Sequence, residues 1–318
     1  MRRRIMHWLL VLLVAYLLLC LLVYAGQSWL VYFPSRHLGL TPADLGLAYA
    51  EADIQTEDGV RLHGWAVPRQ GAGAWVLHCH GNGGNISGRL DLVKLLHDLG
   101  CNVLVFDYRG YGRSQGRPSE EGLRRDAEAA WRYLTQTLGI PSGQIVLMGE
   151  SLGGGVAARL AARHRPAGLI LQSTFTSAVD LGAEVYPFLP VRLLCRHRYP
   201  VAEYVRSLDC PKLILHSPQD EIVPVRHGRR LFEVAAEPRQ WLEIQGGHNQ
   251  SYLERGPDYR QALRGFIAGA VGERADAARP EPGPTPPGQA RTPTQARASA
   301  ATPGPEPRDG RGPAGAAE

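Results

Sequence analysis

Apolar residues divide this chain into three stretches of different character. Behind Arg2, Arg3 and Arg4 an unbroken apolar run extends from Trp8 to Ala25. From about residue 51 to 271, short apolar runs alternate with stretches of helical spacing. From Arg274 onward the chain is almost wholly Ala, Pro, Gly, Arg, Thr and Glu, with no large apolar side chain after Val271. Such a segment has nothing with which to build a core, so residues 272–318 are expected to be a disordered tail.

The middle stretch carries the alternation expected of a mostly parallel sheet covered by helices on both faces. Arg61–Val67 reads as an early strand paired antiparallel with a segment near Ala52–Gln55. Ala74–His80 is the first buried parallel strand, and Asn102–Asp107, Gln144–Met148, Gly168–Gln172, Lys212–His216 and Trp241–Ile244 follow. Helical spacing falls at Ser87–Leu99, at Leu152–Arg163, at Val225–Ala235 and from about Pro257 to Val271. A further helix opens at Ser119, a good N-cap followed by Glu120 and Glu121, and is expected to run to Leu138. The rhythm breaks over 174–209, where Pro187, Pro190 and Pro200 interrupt an aromatic-rich segment. This reads as a short cap inserted between strands, over the carboxyl edge of the sheet where ligands bind in open α/β folds. The domain plan is an amino-terminal anchor or signal peptide at 1–27, a linker at 28–50 and one globular domain at 51–271.

The net charge of +5 is spread along the chain and accompanies no recognition helix, zinc spacing or aromatic–basic sheet motif, so no nucleic-acid partner is expected. The five cysteines show no metal-ligand spacing. Cys195 and Cys210 are the one pair for which a disulfide would be conceivable, and buried free thiols are the expectation. The apolar run changes the picture more. Its 18 residues from Trp8 to Ala25 approach the span of a bilayer core, and Tyr24 and Trp29 sit where rings favour the interface. A cleaved signal peptide is the rival, with Val23-Tyr24-Ala25 as the cleavage site; a lipoprotein signal at Cys20 lacks the small residue expected before the cysteine. The arginines favour the cytoplasmic side in each case, which places the remaining chain across the membrane.

Candidate chemistry centres on Gly149-Glu150-Ser151-Leu152-Gly153, a G-x-S-x-G sequence between a strand and a small-residue helix. A serine hydroxyl is a weak nucleophile and must be exposed beside a base, which a sharp strand-to-helix turn achieves. Enzymes that use this turn order their triads as nucleophile, acid, base along the chain. Asp220, just past the strand Lys212–His216, supplies the acid, and His248, just past the last strand, the base. Glu221 competes with Asp220 but lies farther from the strand end, and is left to an exposed or helix-capping role. The oxyanion hole would be formed by the backbone N–H groups of Leu152 and of Asn82, the latter in the loop His80-Gly81-Asn82-Gly83-Gly84-Asn85.

Other motifs have plainer readings. His78 and His80 alternate on one strand without a third ligand, and are given a structural role rather than a metal. His216, at a strand end, is a candidate supporting residue. The loop Asp107-Tyr108-Arg109-Gly110-Tyr111-Gly112-Arg113-Ser114 lacks the G-K-[ST] of a phosphate loop, and Asp107 is expected to brace the oxyanion loop. No cofactor is implied.

These pieces together resemble the single-pass, membrane-anchored α/β-hydrolase domain proteins of bacteria and eukaryotes, a group that includes protein depalmitoylases. The resemblance rests on the amino-terminal anchor, the His80–Asn85 and Asp107–Gly112 loops, Gly149–Gly153, Asp220 before Val223-Pro224, and Gly247-His248-Asn249. It covers roughly residues 1–271. It implies an α/β-hydrolase fold, a Ser151–Asp220–His248 triad and a small-molecule or lipid-like acyl substrate, with membrane contact through residues 8–25. The Pro/Ala tail departs from the group, as does the lack of an amino-terminal cysteine cluster. The expected activity is hydrolysis of carboxylic esters or thioesters; a peptidase on the same triad and a non-catalytic scaffold are the competing readings.

Overall fold

Runs such as Val76-Leu77, Val103-Leu104-Val105-Phe106 and Val146-Leu147-Met148 are apolar at every position, which suits strands buried on both faces. The computed structural model describes residues 1–249 and 257–277, and in it these runs form the centre of an eight-stranded sheet. The strands are β1 (Ala50–Gln55), β2 (Arg61–Val67), β3 (Trp75–Cys79), β4 (Asn102–Phe106), β5 (Ile145–Glu150), β6 (Gly168–Gln172), β7 (Lys212–His216) and β8 (Arg239–Glu243). Their spatial order is β8-β7-β6-β5-β3-β4-β2-β1. Only β2 runs antiparallel to its neighbours, pairing with β1 and with β4.

Alternation along each strand sorts the core into two layers. Leu77, Leu104, Leu147, Leu169 and Leu171 face a layer that includes helices α3 (Glu120–Arg132), α4 (Leu152–Arg163) and α8 (Arg226–Val234). Val76, Val103, Val105, Val146, Met148 and Ile170 face α2 (Leu90–Asp98) and α9 (Pro257–Ala277). Ser119 caps α3 as its sequence suggests, its Oγ accepting from Gly122 N at 3.0 Å. The α-helix ends at Arg132, however, and a wide π-type turn over Tyr133–Thr137 replaces its expected continuation to Leu138. Thr135 donates its hydroxyl back to Trp131 O at 2.9 Å, a bond that competes with the regular helix ladder. Helix α9 runs past Val271 to Ala277, since Gly272-Glu273-Arg274-Ala275 contains no proline to stop it. The expected tail beyond Ala277 lies outside the described residues.

The largest difference from the sequence expectation is at the amino terminus. Helix α1 covers Arg2–Val31 and is long and apolar enough to cross a membrane, but its last turns are packed against the protein. The stretch expected to be a linker is fastened down. Phe33–Pro34 pairs in parallel with Gly83–Gly84, and Asn85 Nδ2 donates to the carbonyls of Ser35 and His37 at 3.1 and 2.6 Å. The segment 174–209 folds into α5 (Ala178–Val185), α6 (Val191–Leu194) and α7 (Val201–Val205). Tyr199 within it hydrogen-bonds Tyr32 through the two hydroxyls at 2.8 Å. No disulfide joins any of the five cysteines.

Candidate active site

Parallel strands deliver their following loops to one edge of the sheet. At the end of β5 the chain turns sharply into α4, and Ser151 occupies the corner with φ 51° and ψ −120°. A non-glycine residue at positive φ is strained and persists only where its surroundings hold it. Here Ser151 N donates to Gln172 O at 3.0 Å, and Ser151 O accepts from Gly154 N at 3.0 Å and Thr174 Oγ1 at 2.6 Å. The flanking glycines are needed for space. A Cβ on Gly153 would lie 2.0 Å from Cys79 O, and one on Gly149 would lie 2.5 Å from Gly153 O. The elbow therefore packs against the end of β3 without room for one more methyl group.

Asp220 and His248 approach each other from the ends of β7 and β8. The Nδ1 of His248 is 2.9 Å from Asp220 Oδ1 and 2.8 Å from Oδ2. Asp220 Oδ1 also accepts from the amides of Ile222 and Val223 at 3.0 and 2.8 Å. His216 Nε2, which donates to Val223 O at 2.7 Å, lies 3.4 Å from Asp220 Oδ2. Burial pushes the Asp220 carboxyl up, but bonds from His216, His248 and the Val223 amide outweigh it and hold the group well below the usual carboxylate range. An acid kept ionised there fixes the imidazole with its proton on Nδ1, which leaves Nε2 able to accept one. Glu221 is exposed, one of the two roles its sequence context suggested, and it takes a further part. Its Oε2 accepts from the backbone N–H of His248 at 3.0 Å, so it positions the loop that carries the histidine rather than capping a helix.

The loop His80–Asn85 lies beside the elbow; an added Cβ on Gly81 would be 3.6 Å from the Cβ of Ser151. Carbonyls in this loop are drawn away from the site by buried tyrosines. Tyr108 Oη donates to His80 O at 3.0 Å, and Tyr111 Oη donates to Asn82 O at 2.9 Å. Asn82 O also accepts from Phe33 N at 3.0 Å, while its side chain donates to Val31 O at 2.9 Å. Among the described residues, neither the Asn82 N–H nor the Leu152 N–H has an acceptor. Asp107 braces the same loop through Ile86 N at 3.0 Å. Burial raises the Asp107 carboxyl despite the neighbouring His63.

Two further groups hold the loops from below. Arg109 Nε meets Asp126 Oδ1 and Arg109 Nη1 meets Asp58 Oδ2, each at 2.8 Å, fixing the loop after β4 to α3 and to the turn between β1 and β2. His80 donates from Nδ1 to Gly81 O, 2.7 Å away, and packs its ring 4.3 Å from that of Tyr108. His78 is fully buried, with Nε2 3.9 Å from Glu150 Oε2, and burial pulls its imidazole down to about 4. Sequence reasoning did not single out Thr174 or Gln172, nor foresee the bonds that Tyr111 and Glu221 make, because no local spacing marks the partners of these groups.

A sheet of this order, with a serine at a strand–helix corner on its carboxyl edge, defines the class of α/β-hydrolases. The family model for the alpha/beta hydrolase fold matches residues 74–199. An uncharacterized protein of Mycobacterium tuberculosis is 42% identical over 250 residues, covering 77% of this chain and 88% of the relative. The alpha/beta hydrolase domain-containing protein WAV2 of Arabidopsis thaliana is 34% identical over 273 residues, 77% of this chain and 89% of its own. The esterase Pf2001 of Pyrococcus furiosus superposes with a TM-score of 0.63 at 23% identity, over 76% of this chain and 98% of that one. This chain belongs to the α/β-hydrolase family, in the group that contains WAV2 and its bacterial relatives.

Proposed function

We propose that this protein is a membrane-anchored serine hydrolase that cleaves carboxylic ester or thioester bonds. Ser151 Oγ attacks the acyl carbon while His248 Nε2 takes its proton. The same proton then passes to the departing alcohol or thiol, and water, activated by His248, releases the acyl group from Ser151. Asp220 holds the imidazole, and the N–H groups of Leu152 and Asn82 stabilise the oxyanion. Helix α1 is the anchor, with Arg2–Arg4 on the cytoplasmic side. The observation that carries this reading is the two-oxygen contact of Asp220 with His248 Nδ1, at 2.8 and 2.9 Å, at the same sheet edge as the strained Ser151 corner. Esterases among the structural neighbours agree with it at the level of fold. A fluorophosphonate probe should label the wild-type protein and leave Ser151→Ala unlabelled, with p-nitrophenyl ester cleavage falling by about 10⁴-fold or more. Undiminished labelling of the alanine variant would remove Ser151 from the mechanism.

A further inference from the structure

One face of α1 does not behave as a simple tether. Tyr16 Oη donates to Phe188 O at 3.0 Å. Farther along, Gln27 Nε2 donates to Leu194 O at 3.3 Å and Gln27 Oε1 accepts from Arg196 N at 2.7 Å. The guanidinium of Arg196 lies 4.9 Å over the Tyr24 ring. Contact between the helix and the cap thus begins at Tyr16, in the middle of the apolar run.

That position has a consequence for depth. Between the charged Arg4 and Tyr16 lie the eleven residues Ile5–Ala15, which span about 16 Å at 1.5 Å each. A bilayer core is about 30 Å thick. An anchor that spans it must place roughly another 14 Å of helix in hydrocarbon, to about Tyr24. The cap residues level with Tyr16–Tyr24 then enter the leaflet farther from the arginines. Their side chains suit that environment: Phe188 is 63% exposed and Leu193 84% exposed.

Between α1 and the cap is a cavity of about 300 Å³ whose walls are almost wholly apolar, including Leu19, Val23 and Leu30 on the helix and Tyr186, Leu189 and Leu194 on the cap. Its lower part is level with the membrane segment. Its upper end includes Val31, whose carbonyl receives the Asn82 side chain of the oxyanion loop at 2.9 Å. Apolar walls that open into hydrocarbon accept a lipid tail and give a water-soluble molecule no polar partner.

We propose that this groove holds the acyl chain of a bilayer lipid admitted sideways from the membrane, so that the substrates are long-chain acyl esters or thioesters presented at the interface. The inference rests on the membrane-anchored reading above, but acyl-chain occupancy does not require Ser151. The test uses full-length Ser151→Ala protein in phosphatidylcholine vesicles containing a phosphatidylcholine with a diazirine near the end of one acyl chain. Irradiation should place adducts on cap residues 186–195 as well as on α1. Val23→Trp, which fills the groove, should cut the cap adducts at least fivefold. Leu17→Trp, which adds the same ring at an exposed position outside the groove, should leave them unchanged, and matching thermal unfolding midpoints check that both variants fold. Adducts confined to α1, or cap adducts indifferent to Val23→Trp, would overturn the groove while leaving fluorophosphonate labelling of the wild type intact. Loss of that labelling with cap adducts retained would instead overturn the hydrolase reading alone.

Discussion

Around Ser151 the backbone is held by its neighbours in the sheet: Gln172 ends the adjoining strand β6 and Thr174 follows it, and Gly154 lies in the first turn of α4. The loop His80–Asn85, on the other side of the same site, is held by residues that share no local sequence with it. Tyr108, Tyr111 and Asp107 reach it from the loop after β4, and Phe33 and Ser35 from the end of the amino-terminal segment. The nucleophile side is thus a short-range device whose geometry is close to all-or-none. The proposed oxyanion side is a long-range assembly, and its position depends on how the amino-terminal segment is seated. The contrast teaches that an amino-terminal segment can form part of the candidate site beside which it packs.

The largest effect should come from the short-range side. Asp220→Asn should lower kcat by about 10⁴-fold with little change in secondary structure, because the imidazole loses its tautomer-fixing partner. A drop of only several-fold in steady-state ester hydrolysis would assign the acid role elsewhere, with Glu221 the first alternative. Gly153→Ala should destabilise the protein by about 3 kcal/mol or prevent folding, since the methyl meets the Cys79 carbonyl. A chemical denaturation curve matching the wild type would show that the elbow is less tightly packed than described.

A pH effect tests the buried histidines beneath both sides. The folded His78 takes a proton only near pH 4, whereas the unfolded residue does so near about 6.5. Below about 6.5 the unfolded state therefore binds the extra proton, and stability should fall on acidification through that window, by at most about 3 kcal/mol from this group. His63, whose imidazole is raised by Asp107 and Glu51 against burial, opposes the trend. His78→Gln should flatten the melting temperature between pH 6.5 and 4, and an unchanged slope would assign the dependence to other groups. The smallest effect belongs to the long-range side. Tyr111→Phe removes one bond to Asn82 O and should cost about 1 kcal/mol of stability with a several-fold lower kcat. A loss as large as that of Asp220→Asn would erase the contrast between the two sides.

Much of the fold was legible in the sequence. Strands Gly168–Gln172 and Lys212–His216 and the helix Leu152–Arg163 have the bounds that their apolar runs and flanking turn residues suggest. The candidate nucleophile, acid and base could be picked out for the same reason: each lies within a few residues of a strand's carboxyl end, so local sequence dictates the edge to which it is delivered. Tertiary structure alone decided the rest. Glu221, exposed as its position suggested, also holds His248 N, and part of the 28–50 stretch becomes a strap across the His80–Asn85 loop. In each case a polar group finds its partner across the fold, at a separation that periodicity does not encode. Apolar spacing determined which segments are buried and in what form, because burial is a property of a segment. Which loop carbonyl meets which distant hydroxyl, and how α1 meets the cap, depends on where packed elements end in space.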